Sequence, residues 1–149
     1  MNKTFTSVLF VVPGNPKPKG RPRFFRRRAY TPTATKKEQE RIRQIIREQI
    51  EENPRYQLEY PLNMPVSVEL VYHIKRPATL NRKKCIDNLI PHSKRPDVDN
   101  LAKLTLDSLD EILLDDSLIH ELKMVKYYCS KTGENAKPKT IIRLEFLHG

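Results

Sequence analysis

The chain predicts an α+β fold: a small mixed sheet of about four strands covered by two helices, in a single domain spanning 1–149. Three observations lead there. Val66, Val68, Leu70, Tyr72 and Ile74 alternate strictly with the residues between them, the period of a half-buried strand. Ile42, Ile45, Ile46 and Ile50 recur at helical spacing. The segments follow in the order β, α, β, α, β, β, with no internal repeat and no boundary of a second domain. A length of 149 residues suits one domain with a real core.

The first strand is Phe5 to Val12, apolar and β-branched, closed by Pro13-Gly14. A basic, proline-rich segment follows. Thr35 then opens a capping box with Glu38, each side chain reaching back to a free backbone N–H. The helix after it turns its isoleucines inward and Arg41, Arg43, Arg47 and Glu48 outward, and Pro54 ends it. Asn53 to Pro65 holds three prolines and reads as a linker. The alternating strand is Val66 to Ile74. Arg76 to Lys94 has no helical or strand period and reads as a long exposed loop, usually a functional or disordered element. A second helix is expected from Asp99 to Ile112, its core stripe Leu101, Leu104, Thr105, Leu109 and Ile112. Strands at Leu118 to Cys129 and Thr140 to Leu147 flank a turn at Gly133-Glu134-Asn135.

The charge is uneven. The formal net charge is +10 and the pI near 9.7, which makes a polyanion the expected partner. Between Asn15 and Tyr30 lie Lys17, Lys19, Arg21, Arg23, Arg26, Arg27 and Arg28 with no acid, a contribution of +7. Between Lys75 and Arg95 lie Lys75, Arg76, Arg82, Lys83, Lys84, Lys94 and Arg95 against Asp87 alone, a further +6. The remainder of the chain is left at −3. Two segments thus carry the whole basic character, as a phosphate-contacting surface requires. Pro16, Pro18, Gly20 and Pro22 alternate with the first four cations, so a constrained, extended backbone presents them.

Other classes find little support. No stretch is apolar for 18 residues, so no membrane span is expected. Met1 to Ser7 has one lysine and only a short apolar run after it, unlike a signal peptide. Cys85 and Cys129 share no metal-ligand spacing and read as reduced thiols of a cytoplasmic protein. His73, His92, His120 and His148 lack ligand spacing. No nucleophilic triad is legible, and four glycines build no phosphate loop.

Acidic residues gathered inside a basic protein need a reason. Asp97 and Asp99 lie one residue apart, where an extended segment held by Pro96 enters a helix, so both point the same way. Asp99 is placed to begin that helix, where a carboxylate meets free N–H groups. Lys103 stands one turn on, above it. Asp115 and Asp116 follow the helix, and one of them can fold back toward the same point. Two carboxylates 4 Å apart repel by roughly 4 kcal/mol at an effective dielectric near 20. Three such pairs would strain a domain whose whole stability is about 5–15 kcal/mol. A proton or a cation must relieve them, and oxygen-only ligands favour Mg²⁺ or Mn²⁺. The plain alternative is an N-cap, an i,i+4 ion pair and a polar turn; Asp107, Asp110 and Glu111 read as helix-surface charges.

Taken together, these residues resemble the RusA family of Holliday junction resolvases, small endonucleases of bacteria and their phages. Asp97-Val98-Asp99-Asn100-Leu101-Ala102-Lys103 is similar to that family's Asp-x-Asp-Asn-x-x-Lys signature. Asp115-Asp116 is similar to its later Asp-Asp, and Lys19, Arg21 and Arg23, followed by Tyr30-Thr31-Pro32, resemble its early basic stretch. The likeness covers about residues 8 to 147 in the same order. The resemblance implies an α+β homodimer that resolves four-way DNA junctions with Mg²⁺, Mn²⁺ able to substitute. Asp97, Asp99 and Asp116 would be the catalytic, metal-binding acids, with Asp115 next in line, and Lys103 the catalytic lysine. Lys17, Lys19, Arg21, Arg23, Arg26, Arg27, Arg28, Arg82, Lys83, Lys84 and Arg95 would contact branched DNA. The rivals are a non-catalytic nucleic-acid-binding protein, and a nuclease acting on flaps, forks or RNA.

Overall fold

The computed structural model describes residues 3–148; Met1 and Asn2, part of the leader reading above, lie outside them. In chain order the elements are β1 (Thr4–Pro13), β2 (Arg23–Phe25), β3 (Arg28–Tyr30), α1 (Thr33–Glu52), β4 (Val66–Ile74), β5 (Ile90–Pro91), α2 (Val98–Asp107), β6 (Ile119–Tyr128) and β7 (Lys139–His148). β2 and β3 form a separate hairpin. The others make one mixed sheet in the order β1-β7-β4-β6-β5. Every contact is antiparallel except β4 with β6, which run parallel.

The alternating residues decide which face is covered. Register places Phe10, Ile142, Leu70 and Met124 side by side across four strands on the helix side. Ile42 and Ile46 of α1, with Leu101, Ala102 and Leu104 of α2, close over that face and complete the core. On the reverse face Arg143, Glu69 and Lys123 share a row, with Glu69 3.6 Å from Arg143 and 3.7 Å from Lys123. One face is dry and the other open, as alternation demands. A buried hydrogen bond of 2.8 Å between the Tyr72 and Thr105 hydroxyls ties α2 to the central strand. Burial holds the Tyr72 phenol well above its ordinary range, although the Thr105 bond opposes the shift.

Several details depart from the sequence reading. The sheet has five strands; the fifth, β5, is only two residues long and too short to leave a period. The capping box does not form. Helix α1 starts earlier, at Thr33, with Pro32 at its N-cap and no side-chain cap. Thr35 and Glu38 are buried and turned to the basic segment instead. Helix α2 is also shorter than its stripe suggested. Asp97, not Asp99, is its N-cap, and it ends at Asp107. The N–H groups of Ser108 and Leu109 bond to the carbonyls of Thr105 and Leu106 at 3.0 and 3.1 Å, the i,i+3 pattern of a tightened turn. The chain keeps curling, so Leu109, Ile112 and Leu113 stay buried and the apolar period outlives the helix.

Leu104→Ala empties a fully enclosed position between α2 and the sheet. The expected cost is about 2–5 kcal/mol, read by urea unfolding as a lower midpoint at unchanged slope. Wild-type stability in that variant would place Leu104 outside the core.

Candidate active site

The basic segment is fastened to α2 at its first half and free at its second. Pro16 is buried. The Lys19 backbone N–H donates to the Asn100 carbonyl at 3.1 Å, and its ammonium reaches Asp107 Oδ2 at 2.8 Å. The Gly20 N–H donates to Thr35 Oγ1 at 2.9 Å. A Cβ on Gly20 would lie 2.8 Å from that same oxygen and 3.0 Å from Pro32 Cγ, so only glycine allows the approach. Lys17 lies 3.4 Å from the buried Glu38 carboxylate, which Arg41 also holds at 2.6 Å. Beyond Gly20, Arg21, Arg23, Arg26, Arg27 and Arg28 are all exposed.

The start of α2 is set by a residue from the sheet. Lys126 of β6 donates to the carbonyls of Lys94 and Pro96, at 2.6 and 2.8 Å, and so fixes the strand that leads into Asp97. The Asp97 carbonyl accepts the first helical bonds, from Asn100 and Leu101. Its carboxylate makes no capping bond. An aspartate at an N-cap ordinarily uses its side chain there; this one is left exposed and unengaged by the helix. Asp99 follows within the first turn, and Lys103 stands 3.8 Å from it, both side chains about 60% exposed. Asp107 is one further turn along the same face.

After α2 the chain is clasped by the segment read as a linker. Leu62 N–H donates to the Ile112 carbonyl at 2.7 Å, and Leu114 N–H donates to the Leu62 carbonyl at 3.0 Å. From α1, Arg43 binds Asp110 at 2.8 Å and Arg47 binds Glu111. This clasp delivers Asp115 and Asp116, and the two differ. Asp115 Oδ1 accepts from the Ser117 N–H at 2.8 Å, a local turn bond that holds its carboxyl below the ordinary range. Asp116, although exposed, is pushed the other way, by partial desolvation first and then by Asp107, Asp115 and Asp110. The neighbours that Asp116 senses are thus at the far end of α2 from Asp97. Among the described residues, no group of three or more His, Cys, Asp or Glu side chains is close enough to hold a metal ion. Asp99 and Asp107 share one face of α2, Asp97 stands at its N-cap, and Asp116 lies in the turn that follows.

The loop from Arg76 to Lys94 is not a free basic strap. Arg76 is buried, and its guanidinium donates to the carbonyls of Leu80, Ile86, Asn88 and Cys129. Lys131 reaches the Arg82 and Cys85 carbonyls, and Asp87 accepts from the Lys131 and Thr132 amides. Arg82, Lys83, Lys84 and Arg95 remain exposed. One of the cations counted as surface charge is therefore a structural hub.

Two residues at this site escape sequence reasoning. Asp107 lies at i+8 from Asp99 and i+4 from Lys103, a spacing that marks one helix face and was open to notice. Lys126 left no such signal, because its register against α2 exists only once β6 has paired with β4.

A basic α+β domain that presents exposed carboxylates and exposed arginines has the parts of a phosphate-handling enzyme. The chain belongs to the RusA family: the family model described as Endodeoxyribonuclease RusA matches residues 13–145. That places it among endodeoxyribonucleases, as the motifs around Asp97, Asp115 and Arg21 led one to expect. No curated protein matches the chain. Among the described residues no helix is long and apolar enough to cross a membrane.

The anchor of the basic segment has a pH signature. Burial raises the Glu38 carboxyl, but hydrogen bonds and charges from Arg41 and Lys17 outweigh it and hold the group below its ordinary 4.5. Its contribution is complete above 4.5 and fades as pH falls past the lowered value. Glu38→Gln is expected to lose about 1.5 kcal/mol at pH 7 by urea unfolding, the deficit closing in acid. A deficit that is independent of pH would show that the charge plays no part.

Proposed function

We propose that this protein is a metal-dependent, structure-selective endonuclease that resolves four-way (Holliday) DNA junctions by paired phosphodiester cuts, acting as a cytoplasmic homodimer. One observation carries the reading: the Asp97 carboxylate, at a helix N-terminus in a chain of net charge +10, is not used to cap that helix. The capping role that a non-catalytic protein would give it is empty. Membership in an endodeoxyribonuclease family supports the same reading.

Asp97, Asp99 and Asp116 offer oxygen atoms only, which suits Mg²⁺, or Mn²⁺ in its place, in kind. Their open spacing is compatible with an ion that takes only one or two carboxylates and completes its shell with phosphate oxygens and water. Bound there, the ion would supply an activated water and neutralise charge on a phosphoryl oxygen. The chain's own groups do the rest. Arg21 and Arg23 neutralise phosphates along a strand that passes over α2, beside Asn100. Lys103, exposed and only loosely paired with Asp99, is free to meet the scissile phosphate as a point charge. Lys126 keeps Asp97 at the point of entry, and Lys19, already committed to Asp107, anchors the path of the basic segment. A four-way junction has approximate twofold symmetry, and a C₂ dimer places two such sites on opposing strands.

Incubation of an end-labelled four-way junction, beside linear duplex, with Mg²⁺ or EDTA tests this directly. Wild type is expected to nick the junction in pairs only when Mg²⁺ is present, and Asp99→Asn to bind the junction while cutting at least 100-fold more slowly, on the order of one lost charge-stabilising group. Binding without cutting under every metal tried would leave a DNA-binding protein. Separately, Arg21→Ala with Arg23→Ala is expected to weaken binding and lower the slope of log affinity against log salt by about 2, since each lost phosphate contact removes about one released counterion. An unchanged slope removes both arginines from the interface.

A further inference from the structure

The β2–β3 hairpin carries an aromatic group that the nuclease reading leaves unused. Phe24 is 75% exposed, Phe25 64% and Tyr30 45%. Register sets Phe24 opposite Ala29 on one face, and Arg23 opposite Tyr30 and Phe25 opposite Arg28 on the other. Every residue of both strands is exposed, so neither face rests on the core. A lone two-stranded hairpin gains little stability in water, and exposing two phenylalanines there does not help the monomer fold.

The turn is equally telling. Arg26 and Arg27 occupy it with φ of 48° and 65°, both left-handed. Asparagine and glycine are the residues that take such a two-residue turn easily. Here two arginines sit in it instead, which presents their guanidinium groups at the tip. The Arg26 guanidinium lies 5.3 Å from the Phe25 ring centroid, steadying that ring without covering Phe24. The surface is thus aromatic in the middle and cationic all round, with no acid anywhere from residue 15 to 30.

Its position narrows the partner. The hairpin springs from the strand that Lys19 and Gly20 fasten to α2 and Thr35, and Arg21, Pro22 and Arg23 share a cleft with Leu104 of α2. An aromatic, arginine-ringed finger beside the acidic helix face meets the same nucleic acid that reaches that face. Aromatic rings stack on bases whatever their identity, and arginines hold the flanking phosphates. In linear duplex a base must first be unstacked; at a branch point that cost is smallest.

We propose that Phe24, with Phe25 in support, inserts against unstacked bases at the branch point, so that the hairpin distinguishes a junction from linear duplex. This inference rests on the nuclease reading above. Insertion forms no covalent bond, and Arg23, Arg26, Arg27 and Arg28 carry the phosphates beside it.

The test places 2-aminopurine at the branch point of a junction, or in the middle of a linear duplex, and follows its fluorescence on binding in EDTA. Wild type is expected to brighten the branch-point probe and leave the duplex probe unchanged. Phe24→Ala with Phe25→Ala is expected to abolish the rise and lower junction affinity about tenfold, the scale of one lost stacking contact. The salt slope should be retained, because no phosphate contact is removed. Phe24→Trp, which restores a stacking face, is expected to keep the rise, and equal melting temperatures show that each variant folds. If wild type cuts and prefers junctions yet the double alanine variant keeps both the rise and the preference, the insertion is overturned while the nuclease reading stands. If wild type neither prefers nor cuts junctions, the nuclease reading fails and this inference with it. Phosphatidylserine vesicles form the last arm: wild-type binding that the alanine variant loses, with no change at the branch-point probe, would assign the finger to a membrane surface and overturn the proposal.

Discussion

The parallel pairing of β4 with β6 governs the rest of the molecule. Antiparallel neighbours can be joined by a tight turn, but parallel ones need a long crossover. Between Ile74 and Ile119 the chain must therefore travel back across the sheet, and it lays down the acidic residues of the candidate site on the way. The Arg76-centred loop, the Asp97–Lys103 turn and the Asp115-Asp116 pair all lie in that one connection. Lys126 shows how tight the dependence is. Only because β6 returns alongside β4 does its ammonium meet the carbonyls that precede Asp97.

A second constraint is electrostatic. A chain of net charge +10 cannot be assembled by letting all its cations repel one another in water. This one commits some of them internally: Lys19 to Asp107, Arg41 and Lys17 to Glu38, Arg43 and Arg47 to Asp110 and Glu111, Arg76 to four backbone carbonyls. The exposed pairs among these contribute modestly to stability. What they accomplish is placement. They hold α1 to the turn after α2 and the basic segment to α2 itself, leaving Arg21 through Arg28 with no acid on their own strand. The anchoring half and the presenting half of the basic stretch meet at Gly20, where backbone and Thr35 are too close for any side chain.

The family assignment and the geometry bear on each other in the acidic row. The family places the chain among endodeoxyribonucleases, while the structure separates roles that the motif spelling leaves merged. Asp115 is a turn former, bonded to Ser117; Asp116 is crowded by other carboxylates. Asp97 contributes its backbone to the helix and keeps its carboxylate free. The hairpin adds to this row a surface of a different kind, exposed and aromatic, on the segment that carries Arg21 to Arg28.

Much of the fold is legible in the sequence alone. Strict alternation in Val66 to Ile74, the isoleucine stripe of α1 and the β-branched run of β1 each depend only on local periodicity, and their faces in the fold are the faces the periods dictate. The Asp-x-Asp spacing and the two basic runs are likewise local facts, and they sufficed to indicate a phosphate-handling enzyme of the RusA family. Capping and burial of charge were not local facts. Thr35 and Glu38 spell a capping box, yet the basic segment brought Gly20 and Lys17 to them and, with Arg41 of the same helix, engaged both side chains. Arg76 counted as surface charge until the loop folded around it. The sequence by itself determined the family and which faces are apolar, because these follow from short motifs and a short repeat. Only the tertiary structure decided which charges are anchors and which are presented, because a long side chain chooses its partner among groups that the fold brings within reach, as Lys17 meets Glu38 at 3.4 Å and Lys19 meets Asp107 at 2.8 Å.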